Sequence, residues 1–140
     1  MNLPNKKYNI IYADPAWHFK HWNDETVTRK APYDVMSKED IKNLPVKDLA
    51  DDNCILFIWV TFPKLDKCMK TFEHWGFEYK TIAFNWVKTN KKNGKPFFGV
   101  GYYTKSNTEV CLLGVKGKMK PISNHVSSVV IEPRLVLVTA

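Results

Sequence analysis

Residues 54–60 read CILFIWV. Seven apolar side chains follow one another with no polar residue between them. A strand with one wet face alternates, whereas a strand apolar at every position is covered on both faces, the habit of parallel sheets flanked by helices. C-terminal to it, Leu65, Cys68, Met69, Phe72 and Trp75 fall at helical spacing. Gly76 follows where a helix ends on a left-handed residue. Residues 77–87 then turn to β-branched and aromatic types, which suit a strand. Strand, helix, strand over about 30 residues is a βαβ unit with a right-handed crossover.

The same reading extends to both ends. Residues 8–13, YNIIYA, predict a central strand. Residues 18–32 are polar and irregular and read as a long functional loop. Ser37 is a good N-cap for a short helix, Asp40 sits three residues on where a capping-box acid would be, and Pro45 stops that helix. Residues 88–101, KTNKKNGKPFFGVG, form a basic loop with two aromatics and three glycines. EVCLLGV at 109–115 predicts another buried strand, and 126–131 and 135–138 predict the last two, with Pro133 between them. Nothing repeats and no linker is visible, so the expectation is one α/β domain over residues 1–140.

Composition narrows the partners. The chain carries a net charge of +7, which favours an anionic polymer, most simply nucleic acid, through counterion release. A content of 44% hydrophobic residues excludes a disordered chain. No segment approaches the roughly 20 apolar residues of a membrane span, and MNLPNKKYN lacks the apolar stretch of a signal peptide. Three scattered cysteines make neither a disulfide framework nor a zinc knuckle. A cytoplasmic protein without a membrane partner is expected. His18 and His21 have no third ligand beside them, so no metal is expected.

The first strand ends in Asp14-Pro15-Ala16-Trp17. Ligands of open α/β sheets bind at the carboxyl ends of the strands. Asp-Pro is also an ordinary turn opener. Here, however, two acceptors, the Asp14 carboxylate and the Pro15 carbonyl, stand beside the flat ring of Trp17. Such a pocket fits a planar group bearing an amine. The exocyclic amine of a nucleobase is one, and its lone pair is delocalised into the ring. Two acceptors on its hydrogens draw the nitrogen towards tetrahedral geometry and localise that pair. An aromatic side chain holds a base that has left the stack, and alignment with a methyl sulfonium makes the displacement effectively intramolecular.

These residues carry a resemblance. Asp-Pro-Pro-aromatic at a strand end resembles the catalytic motif of amino-group methyltransferases acting on adenine N6 or cytosine N4. ADPAW, PYDVMSKEDI (32–41), CILFIWVT (54–61), HWGFEY (74–79), FNWVKTN (84–90) and EVCLLGVKG (109–117) together resemble one family in order and spacing. It is the adenine-N6 methyltransferase family named after the seventy-kilodalton subunit of the messenger-RNA adenosine methyltransferase. The resemblance covers residues 8–134. It implies a Rossmann-like sheet, S-adenosylmethionine as methyl donor and adenine N6 in nucleic acid as target. The short phage and bacterial members point to DNA rather than RNA. It further implies that Asp14 and Pro15 bind the amine, Trp17 stacks near the base, Tyr33 lies beside the active site, and Asp14 and Lys116 lie near the donor. Asn107 and Glu109 sit in the segment leading to the Lys116 strand.

Two departures stand out. Ala16 replaces the motif's second proline, which loosens the turn without removing the Pro15 carbonyl. After Glu132-Pro133-Arg134 the family continues with a polar stretch, a helix and a strand. Here LVLVTA follows, so the sheet is expected to be incomplete at its C-terminal end. Lys88, Lys91 and Lys92, interleaved with Phe97 and Phe98, suit phosphate contact plus stacking on an unpaired base. Lys116, Lys118 and Lys120 extend the basic face. Two other readings stay open: a donor-less nucleic-acid-binding module, and cytosine-N4 methylation. The family includes paired and solitary members, so a protein partner or homodimer is open too.

Overall fold

A computed structural model describes residues 3–17 and 36–134. Tyr8–Ala13 forms β1, Lys38–Lys42 forms α1 and Val46–Leu49 forms α2. Ala50–Val60 is β2, a single 3₁₀ turn covers Phe62–Lys64, and Leu65–Trp75 is α3. Glu78–Thr89 is β3, Glu109–Lys116 is β4 and Val129–Pro133 is β5. Ser37 caps α1 as its sequence indicates, with its Oγ accepting the Asp40 N–H at 3.1 Å. Pro45 does two things. It lies just past the Asn43 cap of α1, where it bars the helix from continuing, and, with its φ of −76°, it starts α2, a turn that the sequence reading lacks.

The strands lie in one sheet in the order β1-β2-β4-β3-β5. β1 runs parallel to β2 and β3 parallel to β5, while β4 runs antiparallel to both neighbours. The parallel sheet expected from CILFIWV is therefore a mixed one. EVCLLGV is buried in sequence, but nothing in its composition tells which way it points. One consequence governs the site. The carboxyl ends of β1, β2, β3 and β5 share a single rim with the amino end of β4.

The core lies between one sheet face and the helices. Cys54, Leu56, Ile58 and Val60 alternate as buried residues along β2, joined by Val110 and Leu112 of β4. Against them pack Cys68, Phe72 and Trp75 of α3. Burial of a Phe72-sized side chain contributes about 1.5–3 kcal/mol. The Trp75 indole N–H donates to the carbonyls of Ile41 and Lys42 at 3.2 Å each, which fastens α1 to α3 without leaving a buried donor unpaired. Gly76 closes α3 at φ 81°, in the left-handed region the sequence calls for.

The second sheet face corrects the expectation of a strand covered on both sides. Ile55, Phe57 and Trp59 are only half-buried, and Ile10 and Tyr12 are exposed. Among the described residues no helix covers this face. Aromatic contacts across strands fill it instead: Phe57 stacks with Phe84 at 6.4 Å, and Trp59 meets Trp86 edge-on at 6.3 Å. The last described strand also shifts, from the expected 126–131 to Val129–Pro133, because pairing of Asn85 with Val129 sets its start. Residues 18–32 and 135–138 lie outside the described residues. No described helix is long and apolar enough to cross a membrane.

Candidate active site at the carboxyl rim

Asp14 follows β1 directly, so the strand delivers its carboxylate to the rim. The turn after it is tight. The Trp17 N–H donates to the Pro15 carbonyl at 2.8 Å, a γ-turn centred on Ala16. No described non-glycine residue has positive φ, so this is the inverse, unstrained form. Pro15 thus keeps one carbonyl lone pair for a ligand and gives the other to Trp17. The Ala16 carbonyl accepts the Met36 N–H at 2.8 Å, which ties Met36 beside the turn.

Trp17 departs from the sequence reading. It is 5% exposed and belongs to the core, and its indole N–H donates to the Trp59 carbonyl at 2.9 Å. That ring offers no open stacking surface. A buried indole donor is satisfied by a carbonyl within its reach, and here that carbonyl belongs to the penultimate residue of β2. Trp17 acts as a positioning residue that pins the Asp14 turn to the neighbouring strand.

The Asp14 carboxyl is held above the ordinary carboxylate pKa, first by loss of water around it and second by the negative charge of Glu109. Its residue surface is largely exposed, so the solvent loss is partial. Glu109 opens β4 at the same rim, and its charge is answered by Lys88, whose Nζ stands 2.8 Å from Glu109 Oε1. Lys88 also lies 5.3 Å above the Trp86 ring. Its ammonium is engaged twice and is not a free phosphate contact, a correction to its expected place among the substrate lysines. Lys91 and Lys92 are exposed at the turn between Asn90 and Lys95.

Lys116 is the clearest separation from the expected site. β4 carries Glu109 at the Asp14 rim and Lys116 at its far end, seven residues on, roughly 23 Å away at the rise of a strand. Lys116 Nζ instead reaches the Ala50 carbonyl at the start of β2. A small group held at Asp14 does not reach Lys116. Tyr33, His18 and His21 lie outside the described residues.

Thr61 escaped the sequence reading, and Asn107 and Arg134 take contacts there that it did not assign. Thr61, just past β2, has a buried hydroxyl oxygen without a hydrogen-bond partner among the described residues. Asn107 accepts the Lys88 N–H at 3.0 Å and donates to the Lys88 carbonyl at 2.9 Å and to the Phe97 carbonyl. The Arg134 guanidinium carbon lies over the Phe97 ring, 3.6 Å from its centre. The signal for the Lys88–Glu109 pair was a hairpin register, legible only if β4 is known to reverse. The three cysteines are free and buried. Burial, and secondarily Asp14, pushes Cys111 up to about 11, and burial pushes Cys68 up to about 12, so neither is a thiolate nucleophile at neutral pH. Among the described residues no cluster of histidine, cysteine and acidic side chains could hold a metal ion.

Residues 8–138 match the MT-A70 family model. The chain belongs to the MT-A70 family. It is thus a member of an S-adenosylmethionine-dependent methyltransferase family with a mixed α/β architecture. It is 34% identical to the Type II methyltransferase M.MunI of Mycoplasma sp. over 84% of this chain and 54% of that protein. It is 28% identical to the human N(6)-adenosine-methyltransferase catalytic subunit METTL3 over 79% of this chain and 18% of that one. It is 31% identical to the Arabidopsis thaliana N6-adenosine-methyltransferase non-catalytic subunit MTB over 81% and 15%. The chain thus spans about half the length of M.MunI. MT-A70 relatives include proteins named catalytic and non-catalytic, so overall similarity does not decide activity.

Proposed function

We propose that residues 1–140 form a methyltransferase domain, partial beside its relatives, that methylates adenine N6 in nucleic acid. The observation that carries this is the Asp14 carboxylate at the rim, with the Pro15 carbonyl keeping a free lone pair beside it. Asp14 and Pro15 accept the two amine hydrogens and turn the nitrogen lone pair out of the ring plane. Loss of water around Asp14 strengthens that contact. S-Adenosylmethionine supplies the methyl group on a cationic sulfonium. The Asp14 carboxylate, whose neighbour Glu109 is paired with Lys88, gives the rim a negative charge suited to a cation, and the Thr61 hydroxyl, without a partner among the described residues, offers a hydrogen bond. Lys116 takes no part in holding it.

Adenine N6 is favoured by the N(6)-adenosine name of METTL3 together with the six sequence blocks. DNA is favoured over RNA by the resemblance to short phage and bacterial members. A cytoplasmic location suits that substrate. A protein partner or a second copy fits the family, since METTL3 and MTB are both named as subunits. A donor-less binding module is the second reading, and the specific support for it is the non-catalytic MTB.

The test is transfer of a labelled methyl group to adenine-containing DNA and RNA, followed by digestion to nucleosides. Label in N6-methyladenine, lost in Asp14→Ala, supports the proposal. Label in N4-methylcytosine, or equal transfer by Asp14→Ala, overturns it. A folded chain that binds nucleic acid and transfers nothing supports the binding module.

A further inference from the structure

The connection between β3 and β4 is an arm built as two successive hairpins. The Phe97 N–H donates to Lys88 and the Asn90 N–H to Lys95, which folds 95–97 back along the end of β3. Gly99 and Ser106 then exchange backbone hydrogen bonds of 2.7 and 3.0 Å, enclosing 100–105 as a second tip. Asn107 and Arg134 brace the base of the arm through Phe97. Phe97 is therefore occupied, but its neighbour is not. Phe98 is 64% exposed and Tyr103 fully exposed, although both are large flat rings. They border an open hollow shared with Thr104 and Lys105.

Charge identifies what covers these rings. Residues 88–108 hold five lysines and no acid. Lys88 is neutralised by Glu109, which leaves Lys91, Lys92, Lys95 and Lys105. Lys105 Nζ lies 5.9 Å from the Phe98 ring centre, so a cation and a stacking surface share one spot. Flat rings beside cations match a polymer of flat bases joined by phosphates. An acidic peptide would satisfy the cations but would leave the ring faces without matching planes.

We propose that the 98–105 tip grips an unpaired stretch of the substrate strand: Phe98 and Tyr103 stack on bases while Lys105 contacts phosphate. This rests on the reading of the Asp14 rim as a nucleic-acid amine site. Reaching an amine inside a duplex requires the base to leave the stack, and the tip gives the opened strand a surface to rest on.

The test measures fluorescence anisotropy of the whole chain with a labelled single-stranded oligonucleotide and with its duplex. Tighter binding to the single strand is expected. Phe98→Leu/Tyr103→Leu weakens single-strand binding about tenfold or more, with little effect on the duplex. Lys105→Gln lowers the slope of log affinity against log salt by about 0.7 on the single strand. Because the rings are exposed, the urea midpoint stays put, and Lys105→Gln provides an answer independent of the double variant. Binding by the double variant within twofold of wild type overturns the proposal and leaves the tip to a protein partner. Methyl transfer is followed in parallel with the wild type. Tip-dependent binding without transfer keeps this proposal and removes the methyltransferase reading; transfer with tip-independent binding does the reverse.

Discussion

Lys88 Nζ and Glu109 Oε1 stand 2.8 Å apart across the β3–β4 hairpin, and this pair sets how much negative charge Asp14 feels. Asp14 is the stronger acceptor for amine hydrogens when ionised, and its pKa already stands above the ordinary value. The acid limb of methyl transfer therefore lies above the pH of an unperturbed carboxylate. Glu109→Gln removes the like charge and moves that limb to lower pH. Lys88→Met leaves Glu109 uncompensated and moves it to higher pH. Rate profiles of the two variants against pH check both signs.

The same shift has a stability consequence. A carboxyl whose pKa is raised by folding binds protons more tightly folded than unfolded. Its cost to stability is absent below the unfolded pKa and complete above the folded one. Asp14→Asn removes an ionised group that folding desolvates, so it raises the melting temperature at pH 7 and leaves it unchanged in acid. Methyl transfer falls by about a hundredfold or more, the usual loss when one preorganised polar contact is removed. Paired melting curves at pH 7 and in acid, with transfer assays, check this.

Trp17→Phe keeps the ring in the core but strips the donor from the Trp59 carbonyl. The expected cost is about 1–3 kcal/mol for an acceptor left unpaired. Transfer falls as well, since the turn holding Asp14 loosens. Urea unfolding and kinetics check this; unchanged kcat with lower stability would confine Trp17 to packing.

A Cβ at Gly114 would collide with the Phe72 ring, which is fully buried and has nowhere to swing. Gly114→Ala should cost about 1–3 kcal/mol by overpacking. Adding Phe72→Leu should recover part of it, a non-additive result that a double-mutant cycle reads directly.

Ala16 sits at the centre of an inverse γ-turn, and no described backbone group is bonded to its N–H. The φ of that turn is close to the one a proline ring imposes. Ala16→Pro therefore preserves the turn and stabilises by about 0.4–1 kcal/mol through the unfolded chain. Transfer at or above the wild-type rate, with a raised urea midpoint, is the expected result.

Much of this was legible in the sequence. The bounds of β1 agree with the 8–13 reading, although among the described strands it lies at the sheet edge rather than at the centre, and α3 runs from Leu65 to Trp75 with Gly76 as its cap, as the spacing indicates. Local signals sufficed there: an apolar run, a helical stripe and a glycine stop. What escaped depends on partners far along the chain. Strand direction is one case, because EVCLLGV reads the same either way, yet its reversal removes Lys116 from Asp14 and brings Glu109 to it. Trp17 is another. A ring beside a carboxylate looks like a platform until the Trp59 carbonyl claims its N–H. The start of β5 is a third, since only its pairing with Asn85 separates it from the exposed residues before it.

The reversal of β4 has a consequence for how such a protein can change. A parallel crossover would place a helix between β3 and its neighbour, tying every residue of the connection to the core. Here a hairpin arm leaves the rim and returns to it, and its two feet are stitched together by Asn107 and by Lys88 with Glu109. The 98–105 tip, beyond the braced Phe97, is built as an exchangeable cassette. Its length and lettering can be rewritten, by mutation or by grafting from another family member, without repacking α3 or moving Asp14. On the two proposals above, target preference and chemistry would be mounted on separable parts, the first open to variation while the second is left alone.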